Sequence, residues 1–330
     1  IKMAQTVFLE AINQAIQEEM RRDESVYILG EDIRRAIYGA TADLLSEFGE
    51  KRVLDTPLSE EGFFGAAIGA SLVGMRPVVE TLTSFMWVAM DQLISQAAKM
   101  RYMFGGQATL PVVFRASMFY GAGSAAHHSD RSYPMFMNMP GIKIIVPSNP
   151  ADMKGLLKTA IRDDDPTIVF EDGTLFGMRG EVPDNADLPG EELLVPFGEA
   201  KVFREGTDCT IVAIGGAVNH AIATADQLAA EGISVEVIDP RTLVPFDKQT
   251  VLESVEKTGR LVIADPAHKV CSAASEIASI VAEEGFWSLT APIQKVASEQ
   301  VHIPYTPSLE KHVYPDVPKI TAAVKRTMEG

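Results

Sequence analysis

Apolar residues recur at helical spacing near the start of the chain. Phe8, Ile12, Ala15, Ile16 and Met20 share one face, so a helix is expected over residues 7–21. The next apolar run, 26–29, is too short for a helix and reads as a buried strand ending at Gly30-Glu31-Asp32. Val53 and Leu54 close another short strand, and 77–82, 111–116, 143–146 and 167–171 are further strands rich in Val and Ile. Helices are expected between them at 63–73, 88–102 and 150–162. Strand, helix, strand at this rhythm implies crossover connections, and hence an α/β fold with a mostly parallel sheet.

The pattern breaks from 180 to 196, where three prolines and several acids show no periodicity. A second α/β unit follows, with strands at 209–214, 234–238, 261–264 and 292–296. Its helices are expected near 218–231, 248–257, 272–284 and 317–328. The expected organisation is therefore a domain over 1–180, a linker over 181–200 and a smaller domain over 201–330. A chain of 330 residues suits two cores better than one.

Composition narrows the class. A hydrophobic content of 46% with 25 glycines suits a packed protein. The net charge of −16, with no compensating basic block, argues against nucleic acid and anionic membrane as partners. Cys209 and Cys271 fit no zinc or redox spacing, and no disulfide framework follows from them. The segment 6–20 alternates as a helix and does not read as a signal peptide, and no apolar run reaches membrane-spanning length. A soluble, cytoplasmic protein is the expectation.

Candidate chemistry centres on Asp55-Thr56-Pro57-Leu58-Ser59-Glu60-Glu61, between a strand and a small-residue helix. A glutamate there sits at the carboxyl edge of a sheet, where open α/β folds keep their ligands. In dry surroundings it would hold its proton more tightly and could exchange hydrogen bonds with a neutral ring nitrogen. The competing role is an ordinary first-turn acid offsetting the helix dipole. The helix itself carries Gly62, Ala66 and Ala70 on one stripe and Gly65 and Gly69 on another, smooth enough for a second subunit or simply for close packing on its own sheet. In the next helix Asp91, Gln92, Ser95, Gln96 and Lys99 would need partners if buried. His127-His128-Ser129-Asp130 follows the glycine-rich Tyr120-Gly121-Ala122-Gly123-Ser124. Adjacent histidines rarely share a metal, so an imidazole proton donor or a solvated loop fits better. The glycine-rich loop opens no helix of dinucleotide-binding type, and neither a Walker sequence nor a Gly-x-Ser-x-Gly elbow exists. Nor does a Gly-Asp-Gly followed by a distant asparagine.

Taken together, these segments resemble the beta subunit of the thiamine-diphosphate-dependent component of the 2-oxo acid dehydrogenase complexes, the group that includes pyruvate, branched-chain 2-oxo acid and acetoin dehydrogenases. The resemblance runs the length of the chain. It passes through Leu29-Gly30-Glu31-Asp32, the segment from Asp55 to Glu60, Asp91-Gln92, Tyr102-Met103-Phe104-Gly105-Gly106 and His127-His128-Ser129. It continues through Pro140-Gly141-Ile142-Lys143, Lys154-Gly155-Leu156-Leu157, Val237-Ile238-Asp239-Pro240-Arg241-Thr242-Leu243 and Ile303-Pro304-Tyr305.

The resemblance implies a pyrimidine-binding domain followed by a transketolase C-terminal-like domain. It implies an alpha subunit that carries the missing Gly-Asp-Gly…Asn element and holds the diphosphate through magnesium, in an α2β2 assembly. A lipoyl acyltransferase core is the implied further partner. Carried over by position, Glu60 would hydrogen-bond the aminopyrimidine ring nitrogen and His128 would serve acyl transfer. Leu58 and Phe85 would wall the pyrimidine, with an ordinary core aromatic as the competing role of Phe85. Glu31 would lie beside the cofactor at the subunit boundary. Val112, Ala160, Ile161, Asp163 and Asp165 match positions that hold potassium in some relatives, through oxygen ligands that suit a hard cation. The chain departs from the family at His127 and Asp130, commonly glutamines, and at Asp165, an asparagine in relatives. Its Lys269-Val270-Cys271-Ser272-Ala273-Ala274-Ser275 run is more similar to acetoin dehydrogenase subunits. The implied function is cleavage of a 2-oxo acid or acetoin with transfer of the acyl unit to lipoamide. The alternatives are a transketolase-type carbon–carbon ligase and a binding module without chemistry.

Overall fold

The computed structural model describes residues 3–121, 123–183 and 193–329. The chain divides into two compact units, Ile1–Met118 with Met135–Phe197, and Phe119–Pro134 with Gly198–Gly330.

The first unit begins with strand β1 (Met3–Val7) and helix α1 (Phe8–Arg22), followed by β2 (Val26–Gly30), α2 (Leu44–Phe48), β3 (Val53–Asp55), α3 (Glu60–Ser71) and β4 (Arg76–Leu82). It continues through α4 (Ala98–Met103) and β5 (Val113–Met118). Past a short helix α5 (Ala125–His128) of the other unit come α6 (Tyr133–Met137), whose first two residues belong to that other unit, β6 (Lys143–Ile145), α7 (Pro150–Arg162), β7 (Thr167–Asp172) and β8 (Arg179–Pro183). Within this unit the strands lie in the order β6-β7-β5-β4-β2-β3, every neighbouring pair parallel.

Two helices cover one face, and their sequences explain why. The apolar stripe of α1 buries Phe8, Ile12, Ala15, Ile16 and Met20, as the periodicity requires. Helix α7 starts at Asn149, whose side chain accepts from the Asp152 backbone N–H at 3.0 Å, with Pro150 in its first turn. Its buried Lys154 and Lys158 each place Nζ 2.6 Å from Glu18 of α1, and Arg162 reaches the buried Glu19 at 2.8 Å. Opposite charges on facing helices keep these long side chains paired where they leave water. On the other face α3 rests on the sheet through Phe64, stacked on Phe114 of β5 with centroids 4.9 Å apart.

Three features depart from the sequence expectation. The segment expected to start at 181 as linker opens with strand: β8 pairs antiparallel with β1, Val182 opposite Ala4. Residues 184–192 of the expected linker lie outside the described residues, and Val195 beyond them is buried against Gly155 of α7. The helix expected over 88–102 is a widened π-type turn, Gln92–Ala97, running into α4. Such bulges re-aim side chains and concentrate at functional sites. Finally, 119–134 folds with the second unit although the sequence around it belongs to the first.

The second unit contains β9 (Lys201–Arg204), β10 (Cys209–Ala213), α8 (Ala217–Ala229), β11 (Val235–Asp239), a short β12 (Thr242–Val244), α9 (Lys248–Thr258) and β13 (Leu261–His268). It ends with α10 (Ala273–Glu284), β14 (Gln294–Ser298), α11 (Pro307–Glu310) and α12 (Val317–Met328). Its five-stranded sheet has the order β14-β13-β10-β11-β9, parallel except for the edge strand β9. Cys209 is a buried core residue here, as its strand context requires, and burial pushes its thiol up to about 11.

The strands of the first unit bury one charged triad. Arg115 donates to Glu80 at 2.5 Å and to Glu171 at 2.6 and 3.1 Å, and Ser117 adds a bond to Glu171 at 3.0 Å. Glu80 and Arg115 lie in register with Gly30 at the end of β2, so the triad lies under the edge where the candidate site is built. Removing the shared cation leaves two buried acids without compensation. Arg115→Met should therefore cost about 3–5 kcal/mol in chemical denaturation, and a loss below 1 kcal/mol would show that the triad relaxes without harm.

Candidate active site

The carboxyl edge of β2 and β3 brings Glu31 and Glu60 together. Thr56, just past β3, donates its N–H to the Gly30 carbonyl at 3.0 Å and ties the two strand ends. Gly30 is required there, because a Cβ would stand 2.6 Å from the Glu80 carbonyl oxygen. Asp55 accepts from the Arg34 N–H at 2.9 Å, which fixes the loop between β2 and α2 against the end of β3. Glu60 is then the first residue of α3, with Ser59 as its cap position.

The electrostatics fall on Glu31. Burial, and then the neighbouring charges of Glu60 and Asp32, push its carboxyl from an ordinary 4.5 up to about 7. A tighter hold on a proton is found at Glu31, at the end of the strand beside the one that leads to Glu60. Glu31 Oε1 is buried and has no hydrogen-bond partner among the described residues. The same is true of Thr56 Oγ1 and of Gln92 Oε1 at the start of the π-type turn. Gln92 Nε2 approaches Glu61 at 3.5 Å, which places this oxygen beside the head of α3. Buried oxygens of this kind are rare unless something else completes them. A ligand or a partner chain carrying N–H and O–H groups would do so.

The remaining expected residues separate into two groups. Leu58 is 82% exposed on the loop before α3, and Phe85 is half-buried in a 3₁₀ turn following β4. Both belong to the first unit with Glu31 and Glu60. His128 ends α5, its ring 5.2 Å from that of His127, and belongs to the second unit. The outward face of α3 leaves Gly62, Ala66 and Gly69 exposed, with Val73 81% exposed just beyond its end. Gln92 was legible in the sequence only as a polar residue in an apolar helix.

The positions expected to hold potassium do converge, and each is already engaged. Arg76 donates to the carbonyl oxygens of Ile161 and Asp163, both at 3.0 Å, and to Asp164 at 2.6 Å. Lys143 Nζ lies 2.6 Å from Asp163 Oδ1 and 3.3 Å from Asp165 Oδ2, while Arg101 takes the other Asp165 oxygen. The carbonyls of Ala160 and Val112 accept from the N–H groups of Asp163 and Thr167 at 3.3 and 3.1 Å. Asp163, Asp164 and Asp165 thus face Arg76, Arg101 and Lys143. The cluster is charge-balanced by its own side chains and, so arranged, does not fit a potassium ion. The side-chain oxygens expected at the metal site take part in an ion-pair network.

Comparison with known proteins places this geometry. Residues 5–177 match the transketolase pyrimidine-binding domain, and 198–320 match the transketolase C-terminal domain. The chain is 46% identical to the beta subunit of acetoin:2,6-dichlorophenolindophenol oxidoreductase from Cupriavidus necator, covering 97% of this chain and 96% of that one. The chain belongs to this family of dehydrogenase beta subunits. It is also 43% identical to the pyruvate dehydrogenase E1 component subunit beta of Rhizobium meliloti, over 98% of its own length and 70% of the relative's. Among solved structures, a split-gene transketolase in an inactive β4 tetramer superposes with a TM-score of 0.79 at 23% identity, covering 99% of both chains. That likeness concerns the fold. The α/β, two-domain, transketolase-type architecture expected from the sequence is the one observed.

Two measurements test the site's electrostatics. Because folding raises the Glu31 pKa from 4.5 to about 7, the folded chain binds more protons than the unfolded chain between those values. Its stability therefore falls as pH rises through that window. Glu31→Gln should match the wild type near pH 4 and exceed it at pH 8 by on the order of 1 kcal/mol, allowing for screening; parallel stability curves would contradict the assignment. For the ion-pair cluster, exchanging sodium for potassium should leave the melting temperature unchanged, whereas a potassium-specific rise would show that the loop reorganises around the ion.

Proposed function

We propose that this chain is the beta subunit of a thiamine-diphosphate-dependent dehydrogenase component. With an alpha subunit it cleaves a 2-oxo acid such as pyruvate, or acetoin, and passes the acyl unit to lipoamide. The observation that carries the reading is the pairing of Glu60 with a Glu31 carboxyl held near neutrality, at the carboxyl edge of a parallel sheet. Family membership gives that pair a cofactor to serve. The buried, uncompleted oxygens of Glu31, Thr56 and Gln92 suit a heterocycle or a partner chain with hydrogen-bond donors.

When bound, thiamine diphosphate supplies a thiazolium carbon acid that acts as nucleophile and electron sink. The protein's task is proton placement and orientation. Glu60 exchanges a proton at the aminopyrimidine ring nitrogen, as general acid–base groups do when hydrogen-bonded to a matched site. Glu31, its proton held up to about 7, limits the negative charge that builds beside Glu60. Leu58 offers an apolar surface to the ring, and Phe85 is the second wall. His128 acts in the acyl-transfer half of the reaction. Magnesium and the diphosphate belong to the alpha chain, which carries the metal-holding element this sequence lacks. The small-residue face of α3 is the surface for another subunit in an α2β2 assembly. A lipoyl acyltransferase core is the downstream partner, and the cytoplasm is the proposed location. Potassium has no place in this proposal, because its expected ligands are engaged by Arg76, Arg101 and Lys143.

The test uses the chain co-assembled with its alpha subunit. Glu60→Gln should leave assembly intact and lower lipoamide-linked turnover of pyruvate or acetoin by at least about 10²-fold. Unchanged turnover would refute the proposal. Activity confined to aldehyde acceptors, without lipoyl acylation, would move the enzyme to the transketolase class.

A further inference from the structure

The histidine pair stands on a helix of four residues, too short to hold itself together in water. What holds it is the segment around Glu310 and Tyr314, four residues apart across the end of α11. Glu310 is 1% exposed. Its carboxylate accepts the N–H of Gly121 at 2.7 Å and of Gly123 at 3.1 Å. Both glycines have positive φ, +75° and +68°, a backbone conformation costly for other residues and one that turns their N–H groups onto a single anion. The Tyr314 hydroxyl lies 3.4 Å from the same carboxylate, and its ring packs against Tyr120 with centroids 4.7 Å apart. The approach to the histidines is thereby pinned.

The exit is pinned to the same place. The Arg131 guanidinium carbon lies 3.8 Å from the centre of the Tyr120 ring and 4.4 Å from that of Tyr314. Arg131 donates Nη1–H to the Ser129 carbonyl, one residue past His128. Its Nε and Nη2 are buried without hydrogen-bond partners among the described residues, so the aromatic faces, and not a carboxylate, hold this cation. Tyr133 then closes the segment by donating to the buried Asp265, which also accepts from the N–H groups of Ala267 and Ala274 at 2.8 and 2.9 Å. Each contact named here lies within the second unit.

We propose that Glu310, Tyr314 and Arg131 form a clamp that positions His128 for acyl transfer. They are positioning residues: they act through the backbone of 120–131 and touch no reacting atom. The inference rests on the functional reading above, in which lipoamide is the acceptor. In that transfer one lipoamide sulfur takes the acyl group as the S–S bond breaks. The disulfide is the two-electron oxidant, and the second sulfur takes up the proton that His128 holds. A histidine swinging freely on a four-residue helix would deliver that proton slowly, while chemistry governed by Glu60 would proceed unaffected.

The experiment compares two reactions of the assembled enzyme. Substrate oxidation with the dye 2,6-dichlorophenolindophenol bypasses lipoamide, and acylation of free lipoamide requires the transfer step. Glu310→Gln and Arg131→Met should each lower kcat for lipoamide acylation about tenfold or more, with KM and dye reduction within about twofold of wild type. Arg131→Lys, which keeps a cation between the rings, should recover most of the loss. Adding Glu310→Gln to His128→Ala should cause no further loss, since both changes disable one unit. Equal loss in both reactions, additive losses in the double variant, or unaltered acylation in both single variants would overturn the clamp. If His128→Ala itself leaves lipoamide acylation intact, the functional reading of His128 fails and the clamp fails with it. If only Glu310→Gln and Arg131→Met are silent, the functional reading stands and the clamp alone is wrong.

Discussion

Two carboxylates brought to one sheet edge, one of them Glu31 with its proton held up to about 7, set the terms for the first unit of this protein. Parallel strands deliver both to one edge. Glu31 follows β2 and Glu60 follows β3, and these strands are neighbours with β4 on the far side of β2. The close approach at Gly30 and the Thr56 N–H bond hold the strand ends together. Burial then raises Glu31, and the nearby charge of Glu60 raises it further. If both carboxylates were ionised in this partly dry setting, their repulsion would oppose the fold. Below them Arg115 pairs with both Glu80 and Glu171 and offsets one of their two charges.

The second unit contributes differently. Its sheet and helices are conventional, and their functional consequence lies in what they retain of a segment from elsewhere in the chain. The strand β5 ends at Met118, and the next residues leave the first unit until Met135. They carry His127 and His128 with them. A buried carboxylate, two aromatic rings and one guanidinium do the retaining, and each needs residues nearly two hundred positions away in sequence.

The positions carried over from relatives are placed by backbone geometry, and their partners are decided by charge. The turn from β3 into α3 places Glu60 as the first residue of the helix, because its strand, loop and helix lengths are set locally. The potassium positions converge just as well, yet their oxygens face Arg76, Arg101 and Lys143. The acid at 165 accepts from Arg101 and, at 3.3 Å, from Lys143, whose shorter contact is with Asp163 at 2.6 Å. Whether an oxygen is available for an ion depends on every cation within reach, and that inventory is three-dimensional.

Much was legible in the sequence alone. Periodicities of about 3.6 and 2 are local, so α1, α7 and the parallel strands could be placed to within a few residues. The loop bearing Glu60, the glycines before the histidines and the two-unit organisation followed from the same reading. Other properties were decided only by tertiary structure. A strand hid at the start of the expected linker because its partner, β1, lies at the opposite end of the unit. Burial raises the Glu31 carboxyl, and desolvation is a property of surroundings. The company kept by Asp163, Asp165 and His128 likewise depends on residues distant in the chain, and no local pattern encodes which charges and rings will meet once the backbone closes on itself.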